Sequence, residues 1–387
     1  MTRFLEALFG SVFWSAVVKV VLAFAFLLLT ALVLVWFERR VVAFMQNRVG
    51  PNRAGPFGVL QTLADGLKLL FKEGIRPRKV EVAMYLAAPV VAMIPAFLIF
   101  LVVPIGAPMH IGETTVTLQG ADLNVALLFV LAMSSIAVYS VVLAGWASGS
   151  KYPLLGGVRA TAQMISYETA MGLALVPVVM LAAVQLGSGP PDLGVMSFSK
   201  IVELQQGSFG GTLSISGPLH FVATIVNPVL RVIPGWFFFS VFPSFGIFFT
   251  AAIAESNRAP FDLVEAESEI VGGYHTEYSG FRFAMFFLAE YINMFNVSAI
   301  AVTLFFGGWL GPGADLPYVG WLVPIFWFLA KTYALLFLLV WIRATMPRLR
   351  YDQLMTVGWK ILIPFSLVWL VLFALFQSVR VFGLPWS

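Results

Sequence analysis

Long apolar runs separated by polar segments form the dominant pattern of this sequence. A helix of about 20 apolar residues crosses the ~30 Å of hydrocarbon in a bilayer, because each residue rises by about 1.5 Å. Windows of this length recur eight times, so the pattern predicts an all-α polytopic membrane protein with about eight transmembrane helices in a single membrane domain, 1–387. The predicted spans are 12–36, 83–104, 123–147, 163–186, 235–254, 281–308, 319–341 and 358–382.

The apolar runs predict helices rather than a β-barrel, because they lack the alternation of lipid-facing strands. The fifth span is the least regular, since Pro234 and Pro243 interrupt it. The first run is too long for the apolar core of a signal peptide, and no small-x-small cleavage site follows it. We therefore expect the first run to be a span that is not removed.

Lysine and arginine are distributed unevenly among the connecting segments. Most of them fall in the predicted loops at 37–82, 148–162, 255–280 and 342–357. Cytoplasmic loops carry the excess of positive charge in membrane proteins. The distribution therefore predicts that these four loops face the cytoplasm and that both termini face outside.

The first cytoplasmic loop contains a candidate amphipathic helix. Leucines recur at three- and four-residue steps within Pro56–Phe71, which predicts a helix lying at the membrane interface. A basic helix resting on anionic lipid is one interpretation, and it explains Lys68. It does not explain why a carboxylate, Asp65, stands among the leucines.

Composition narrows the chemistry that the chain can perform. Apolar residues make up 60% of the 387 residues, charged residues 11%, and the chain has no cysteine. Thiolate metal sites and cysteine-held iron–sulfur clusters are therefore excluded from this chain. The three histidines, His110, His220 and His275, fall in predicted loops and not in spans where a membrane haem would need its ligand. We expect no redox centre in this chain.

An acidic segment follows the fifth span, and two further acids, Glu168 and Glu290, lie inside predicted spans. Residues 254–277 hold six acids against one base, Arg258. A carboxylate near hydrocarbon marks a functional site by default, and neighbouring carboxyls titrate together and can relay protons. The alternatives are a solvated loop for the segment, and for Glu168 a single paired carboxyl that holds helices together. The six acids are Glu255, Asp262, Glu265, Glu267, Glu269 and Glu277, and the solvated-loop interpretation suits the last two best.

The last cytoplasmic loop is basic and aromatic, with Arg343, Arg348 and Arg350 beside Asp352. The bias of positive charge toward the cytoplasm accounts for some of these arginines. Their clustering also suits an acidic partner protein docking on this face.

Four motifs in the loops resemble one membrane subunit of respiratory complex I, the proton-pumping NADH:quinone oxidoreductase. It is the subunit that is called subunit 1 in mitochondria, and the resemblance covers nearly the whole chain. The motifs are Glu38-Arg39-Arg40 with Gln46–Asn52, then Ala64–Lys68, Ala254–Asp262 and Trp341–Gln353.

The resemblance implies a quinone chamber at the junction of the two arms of the complex, beside an acidic path that couples quinone reduction to proton translocation. It implies ubiquinone or menaquinone as substrate, with no metal or flavin bound by this chain. The residues implied to border the quinone chamber are Glu38, Arg39, Gln46, Arg48, Asp65, Lys68, Arg343 and Arg348. Those implied to form the proton path are Tyr167, Glu168, Glu255, Arg258, Asp262, Glu265, Glu267, Glu269, Glu277, Glu290 and Tyr291.

The implied partners are the quinone-site and iron–sulfur subunits of the peripheral arm on the cytoplasmic face, small membrane subunits at the sides, and membrane lipid, with no nucleic acid. The implied location is a bacterial plasma membrane, the cell inner membrane. Two other interpretations stay open. One is a homologous membrane subunit of an energy-converting hydrogenase or a ferredoxin- or deazaflavin-linked complex. The other is a stand-alone transporter, which predicts inverted repeats that the sequence does not convincingly show.

Overall fold

A computed structural model of the protein describes residues 12–111, 114–186, 194–207, 234–262, 271–312 and 321–382. Helices account for most of these residues. They are α1 Val12–Met45, α2 Gln61–Phe71, α3 Val82–Leu101, α4 Ala126–Ala147, α5 Lys151–Leu186, α6 Phe198–Leu204, α7 Phe237–Ser240, α8 Phe242–Glu255, α9 Phe281–Phe305, α10 Leu322–Thr345, α11 Tyr351–Thr356 and α12 Ile363–Phe382. Short 3₁₀ turns lie at Pro56–Gly58 and Gly273–His275, and a π-helical segment, Val357–Leu362, joins α11 to α12.

Seven helical stretches of the described residues are long and apolar enough to cross a membrane, and α8 is a shorter apolar helix. The predicted class, an α-helical polytopic membrane protein, is therefore confirmed. A small antiparallel hairpin between α3 and α4 was not predicted. Its strands are β1 (Met109–Ile111) and β2 (Thr114–Val116), with Met109 opposite Val116. The outward orientation of the termini stays a prediction.

Two long helices extend beyond their predicted spans. α1 continues to Met45, so Glu38 and Arg39 lie on a helix and not in the predicted loop at 37–82. α5 begins at Lys151, so the predicted loop at 148–162 is wrong in its extent. Hydropathy marks only the part of a helix that suits hydrocarbon, whereas backbone hydrogen bonds continue the helix past the interface.

The fifth predicted span, 235–254, is broken in the structure. α7 ends at Ser240, and α8 begins at Phe242 with Pro243 in its first turn. Proline suits a first turn because its missing N–H would have no partner within the helix. The 14 residues of α8 reach about 21 Å at about 1.5 Å per residue, which is less than the thickness of the hydrocarbon. The prediction of one continuous spanning helix over 235–254 is therefore wrong.

The helix predicted within the loop at 37–82 is present as α2. Leu63, Leu67 and Leu70 share one side of it, and each is nearly half exposed. The rest of the described chain therefore leaves an apolar face of α2 uncovered.

Helices α5 and α9 are the two around which the others pack. α5 packs against α4, α8 and α12, and α9 packs against α1, α3 and α10. α8 contacts both α5 and α9. The segment that follows Glu255 therefore begins between the helices packed around α5 and those packed around α9.

A close approach between backbones brings the 271–280 segment onto α5. A Cβ atom at Gly156 would lie 2.7 Å from the Cα of Gly273, so glycine is needed there. A Cβ at Gly157 would likewise lie 3.2 Å from the Cα of Gly145 on α4. These contacts hold α4, α5 and the 271–280 segment close together.

We expect Gly156→Ala to destabilise the protein by roughly 1–3 kcal/mol, because the new methyl group must displace the backbone at Gly273. Gly172→Ala is the matched control on the same helix, since a Cβ there would meet nothing within 4 Å. Alanine also favours a helix over glycine, so this control should be neutral or stabilising. Thermal unfolding in detergent measures both, and equal midpoints for the two variants would contradict the packing described.

Candidate functional site

The buried guanidinium of Arg258 is the centre of a group of charges from four parts of the chain. Its Nε lies 3.2 Å from Oε1 of Glu290, and its Nη1 lies 3.9 Å from Oε1 of Glu38. Its Cζ lies 4.5 Å from the ring centre of Tyr291. Arg343 forms an ion pair with the same oxygen of Glu38. These five residues, the Arg258 cluster, bring α1, α9, α10 and the segment after α8 together.

The segment after α8 is held in a tight turn by one side chain of α5. Asn257 adopts a φ of 49°, a left-handed conformation that asparagine tolerates and that ends a helix. Gln163 is fully buried, and its Nε2 donates hydrogen bonds to the carbonyl oxygens of Ala254 and Phe261, each at 2.7 Å. Gln163 therefore holds both ends of the turn that contains Arg258.

The segment that follows α10 is attached to the far end of the same turn. Nη2 of Arg348 lies 3.3 Å from Oδ2 of Asp262, and the backbone N–H of Leu349 donates to the carbonyl of Pro260 at 2.9 Å. Tyr167 of α5 is fully buried and donates from its hydroxyl to a backbone carbonyl of α11 at 2.9 Å. The predicted residues Tyr167, Asp262 and Arg348 therefore join α5, the turn and the segment 346–356.

Glu168 lies on α5 in contact with two serines of α4. Ser134 and Ser135 lie 2.9 Å and 2.5 Å, through Oγ, from Oε1 of Glu168. Glu255, the last residue of α8, has an Oε2 atom that is buried without a hydrogen-bond partner in the described part of the chain. Ion pairs between described residues involve neither Glu168 nor Glu255. Both carboxyl groups therefore have neutral polar or apolar neighbours rather than a cation among the described residues.

Two small cavities lie beside Glu255. One cavity of about 40 Å³ is lined by Glu290 and Glu255, and a second of about 40 Å³ is lined by Glu255 and Ser134. Asn293 lines both. Each cavity has room for about three waters, at about 10–15 Å³ for each water. The two cavities thus share Glu255 and Asn293 in their walls, and the second, which is mainly apolar, reaches the serine that contacts Glu168.

Five of the residues predicted for the quinone chamber lie in a separate, exposed patch where α1 meets α2. Nη1 of Arg39 lies 2.6 Å from Oδ2 of Asp65, and Nε of Arg48 donates to Oε1 of Gln46 at 2.7 Å. Lys68 is exposed on α2. Exposed ion pairs contribute only about 0–1 kcal/mol, so the pair between α1 and α2 sets their geometry rather than the stability of the fold.

Not all of the predicted residues come together. Glu38 and Arg343, predicted with the exposed patch, lie in the Arg258 cluster instead. The described contacts do not join the carboxylate of Glu277 to that cluster, and its backbone carbonyl accepts a hydrogen bond from Tyr85 at 2.8 Å. Three further predicted acids lie outside the described residues, namely Glu265, Glu267 and Glu269.

His275 lies against aromatic rings in the 271–280 segment. Its ring centre lies 3.8 Å from that of Tyr274, 5.8 Å from that of Phe283 and 5.3 Å from that of Phe286. Burial lowers the pKa of His275 to about 3. The imidazole is therefore neutral near neutral pH and contributes packing rather than charge.

Sequence reasoning missed the neutral polar residues of the site. Gln163, Ser134 and Asn293 carry no charge, and hydropathy windows tolerate them. Their spacing was the available signal, because residues three or four apart share a helix face. Gln163 precedes Tyr167 by four positions, and Asn293 follows Glu290 by three.

Comparison with protein families gives one match. The family model described as NADH dehydrogenase matches residues 18–374 of the 387-residue chain. The matched range includes the Arg258 cluster, the exposed patch and the carboxyls that line the cavities.

We expect Gln163→Leu to loosen the turn at 254–261, because the carbonyl of Phe261 loses its side-chain donor and that of Ala254 keeps only backbone donors, such as the N–H of Asn257, at a cost of roughly 1–3 kcal/mol. Hydrogen–deuterium exchange should therefore quicken at the backbone amides of 254–262. Gln205→Leu is the matched control. Gln205 is also buried, and it bonds the backbone at Thr303, Phe237 and Gly307, away from the turn. Unchanged exchange at 254–262 in Gln163→Leu would contradict this role.

The lowered pKa of His275 also predicts a pH dependence of stability. Below about pH 6.5 the unfolded chain binds a proton that the folded protein excludes until about pH 3. Above about pH 6.5 this effect is therefore absent. Below that pH the free energy of unfolding decreases, by roughly 2 kcal/mol at pH 5. The melting temperature of His275→Phe should fall less between pH 7 and pH 5 than that of the parent. Parallel curves would show that His275 titrates normally.

Proposed function

The chain belongs to the NADH dehydrogenase family, as a multi-pass membrane subunit of complex I type, and we propose that it is the counterpart of mitochondrial subunit 1 in a proton-pumping NADH:quinone oxidoreductase. In this role it forms the quinone chamber at the junction of the two arms. It also provides an acidic path that couples quinone reduction to proton translocation. The chain itself carries no redox centre, and electrons come from an iron–sulfur cluster of a partner.

The observation that supports this proposal best is the arrangement of carboxyl groups around Arg258. Glu290 is paired with Arg258 and also lines the cavity that reaches Glu255. The second cavity continues from Glu255 to Ser134, which contacts Glu168. A paired acid is thus followed by two acids without a cationic partner in the described chain. Such a series can transfer a proton because each carboxyl is separated from the next by a space for water or by a hydroxyl group.

Arg258 provides the means of coupling. Reduction of a quinone to a quinol takes up two electrons and two protons, so negative charge develops at the quinone until protons arrive. Arg258 contacts Glu38 on one side and Glu290 on the other. A change in the charge or protonation of Glu38 therefore changes the strength of the ion pair between Arg258 and Glu290. Glu290 is then able to exchange a proton with the first cavity.

The exposed patch and α2 suit the entry of a quinone. A quinone has a polar head and an apolar tail, and the patch combines Arg39, Gln46, Arg48, Asp65 and Lys68 with the uncovered leucines of α2. Arg343 pairs with Glu38, next to Arg39 of the patch, and Arg348 pairs with Asp262 in the turn after α8. The substrate is ubiquinone or menaquinone.

The proposed partners are those that the resemblance to complex I implies. The quinone-site and iron–sulfur subunits of the peripheral arm dock on the cytoplasmic face, where Arg350 and Asp352 are exposed. Small membrane subunits and lipid cover the sides of the bundle. The proposed location is a bacterial plasma membrane.

Glu255→Gln tests the proton path, because glutamine keeps the shape of the side chain and cannot carry the proton. In membranes containing the assembled complex, quinone-dependent NADH oxidation should fall by about tenfold or more. Oxidation of NADH by an artificial acceptor at the peripheral arm should persist. Glu203→Gln is the control, since Glu203 is exposed on α6 and pairs with Lys200 at 2.8 Å. Full coupled activity in Glu255→Gln would reject the proposed path.

Purification under mild conditions tests the assembly. An NADH-oxidising partner that co-purifies with the chain supports the complex I assignment. A hydrogenase or a ferredoxin- or deazaflavin-linked partner would instead support the related complexes. A chain that functions alone would support a transporter.

A further inference from the structure

Each of the two serines of α4 that contact Glu168 lies within hydrogen-bond distance of two acceptors. Oγ of Ser134 lies 2.9 Å from Oε1 of Glu168 and 2.9 Å from the carbonyl oxygen of Leu131. Oγ of Ser135 lies 2.5 Å from the same Glu168 oxygen and 3.0 Å from the same carbonyl. A hydroxyl group has one hydrogen to donate and can accept two hydrogen bonds. Each hydroxyl therefore serves Glu168 or Leu131 at any moment, but not both.

The charge of Glu168 decides between these two arrangements. When Glu168 is ionised, its Oε1 accepts from both serines, because hydrogen bonds to a charged acceptor are the stronger ones. When that oxygen carries a proton, it donates to one serine, and that serine turns its own hydrogen to the Leu131 carbonyl. Rotation about one Cβ–Oγ bond thus accompanies each change of protonation. Neither state leaves a serine hydrogen without an acceptor.

The two serines differ in exposure and in whether they line a cavity. Ser134 is 5% exposed and lines the cavity that also contains Glu255. Ser135 lies on the exposed face of α4 and does not line either cavity. Of the two serines, only Ser134 therefore contacts both the cavity and Glu168.

We propose that the hydroxyl of Ser134 carries protons between the cavity and Glu168, a role that rests on the function proposed above. In the step, the Ser134 O–H bond breaks and its proton forms an O–H bond on Oε1 of Glu168. At the same time Oγ of Ser134 takes a proton from a cavity water, which is resupplied by Glu255. One proton moves, no electron is transferred, and the serine is neutral before and after. Its hydrogen then turns to Leu131, and it turns back to Oε1 once Glu168 has released the proton.

Ser135 holds Glu168 in place during this exchange. Its hydrogen bond keeps Oε1 in position while the hydrogen of Ser134 turns away. Loss of Ser134 therefore leaves Glu168 with a donor, so any lost activity reports the missing route rather than an unsupported carboxylate.

The test compares two isosteric variants, Ser134→Thr and Ser134→Val, which differ in the hydroxyl alone. In membranes with the assembled complex, we expect Ser134→Val to lower quinone-dependent NADH oxidation by about tenfold or more, with artificial-acceptor activity kept. Ser134→Thr should restore most of the lost rate. The solvent deuterium isotope effect should increase in Ser134→Val, because proton transfer becomes slower than the other steps. A role limited to packing would not produce that increase.

Ser298→Ala is the matched control. Ser298 is buried on α9, donates to the carbonyl of Met294 at 3.0 Å and does not line the two cavities. Equal rates in Ser134→Val, Ser134→Thr and Ser298→Ala would overturn the inference, as would equal losses in Ser134→Ala and Ser135→Ala. If Glu255→Gln is inactive while Ser134→Val is fully active, the proton path stands and only the role of Ser134 fails. If Glu255→Gln is active, the proposed path fails first.

Discussion

The burial of the Arg258 guanidinium is the constraint on which this part of the structure depends. A guanidinium group cannot lose its charge, so in a chain this apolar it must be surrounded by acceptors and π-faces. Glu290 and Tyr291 supply them from α9, and Glu38 does so from α1. Removing one partner of a buried ion pair typically costs about 3–5 kcal/mol, because the remaining charge is left uncompensated. The turn after α8 must therefore lie where both helices can reach it.

The acids beyond this cluster have the opposite environment. Glu255 and Glu168 contact asparagine-lined space and serine hydroxyls rather than described cations. In the described chain, Glu290 thus faces a cation, whereas Glu255 and Glu168 do not. We propose that the Arg258 cluster keeps a fixed charge and that Glu255 and Glu168 carry movable protons. In the proposed function, that contrast links the quinone chamber to the proton path.

Much of the fold follows from hydropathy, and much of the site does not. Apolar length predicted the long helices, but it could not show that α1 carries Glu38 on a helix or that α5 begins at Lys151. Charged residues stand out in an apolar chain, so the sequence predicted Arg258 and Glu290 as candidate site residues. Their grouping was not predicted, because the pairing of Glu38 with Arg258 joins distant parts of the chain. Neutral residues such as Gln163 gave no comparable signal, although this side chain holds the turn in place.

A double-mutant cycle between Arg258 and Glu290 tests the central claim most directly. Quinone-dependent NADH oxidation would be measured in assembled complexes carrying Arg258→Gln, Glu290→Gln or both. If Arg258 acts on the proton path through Glu290, the double variant should be no slower than Arg258→Gln alone, within about threefold, because coupled residues are not additive. Losses that multiply in the double variant would show that the two residues act independently, and would contradict the account.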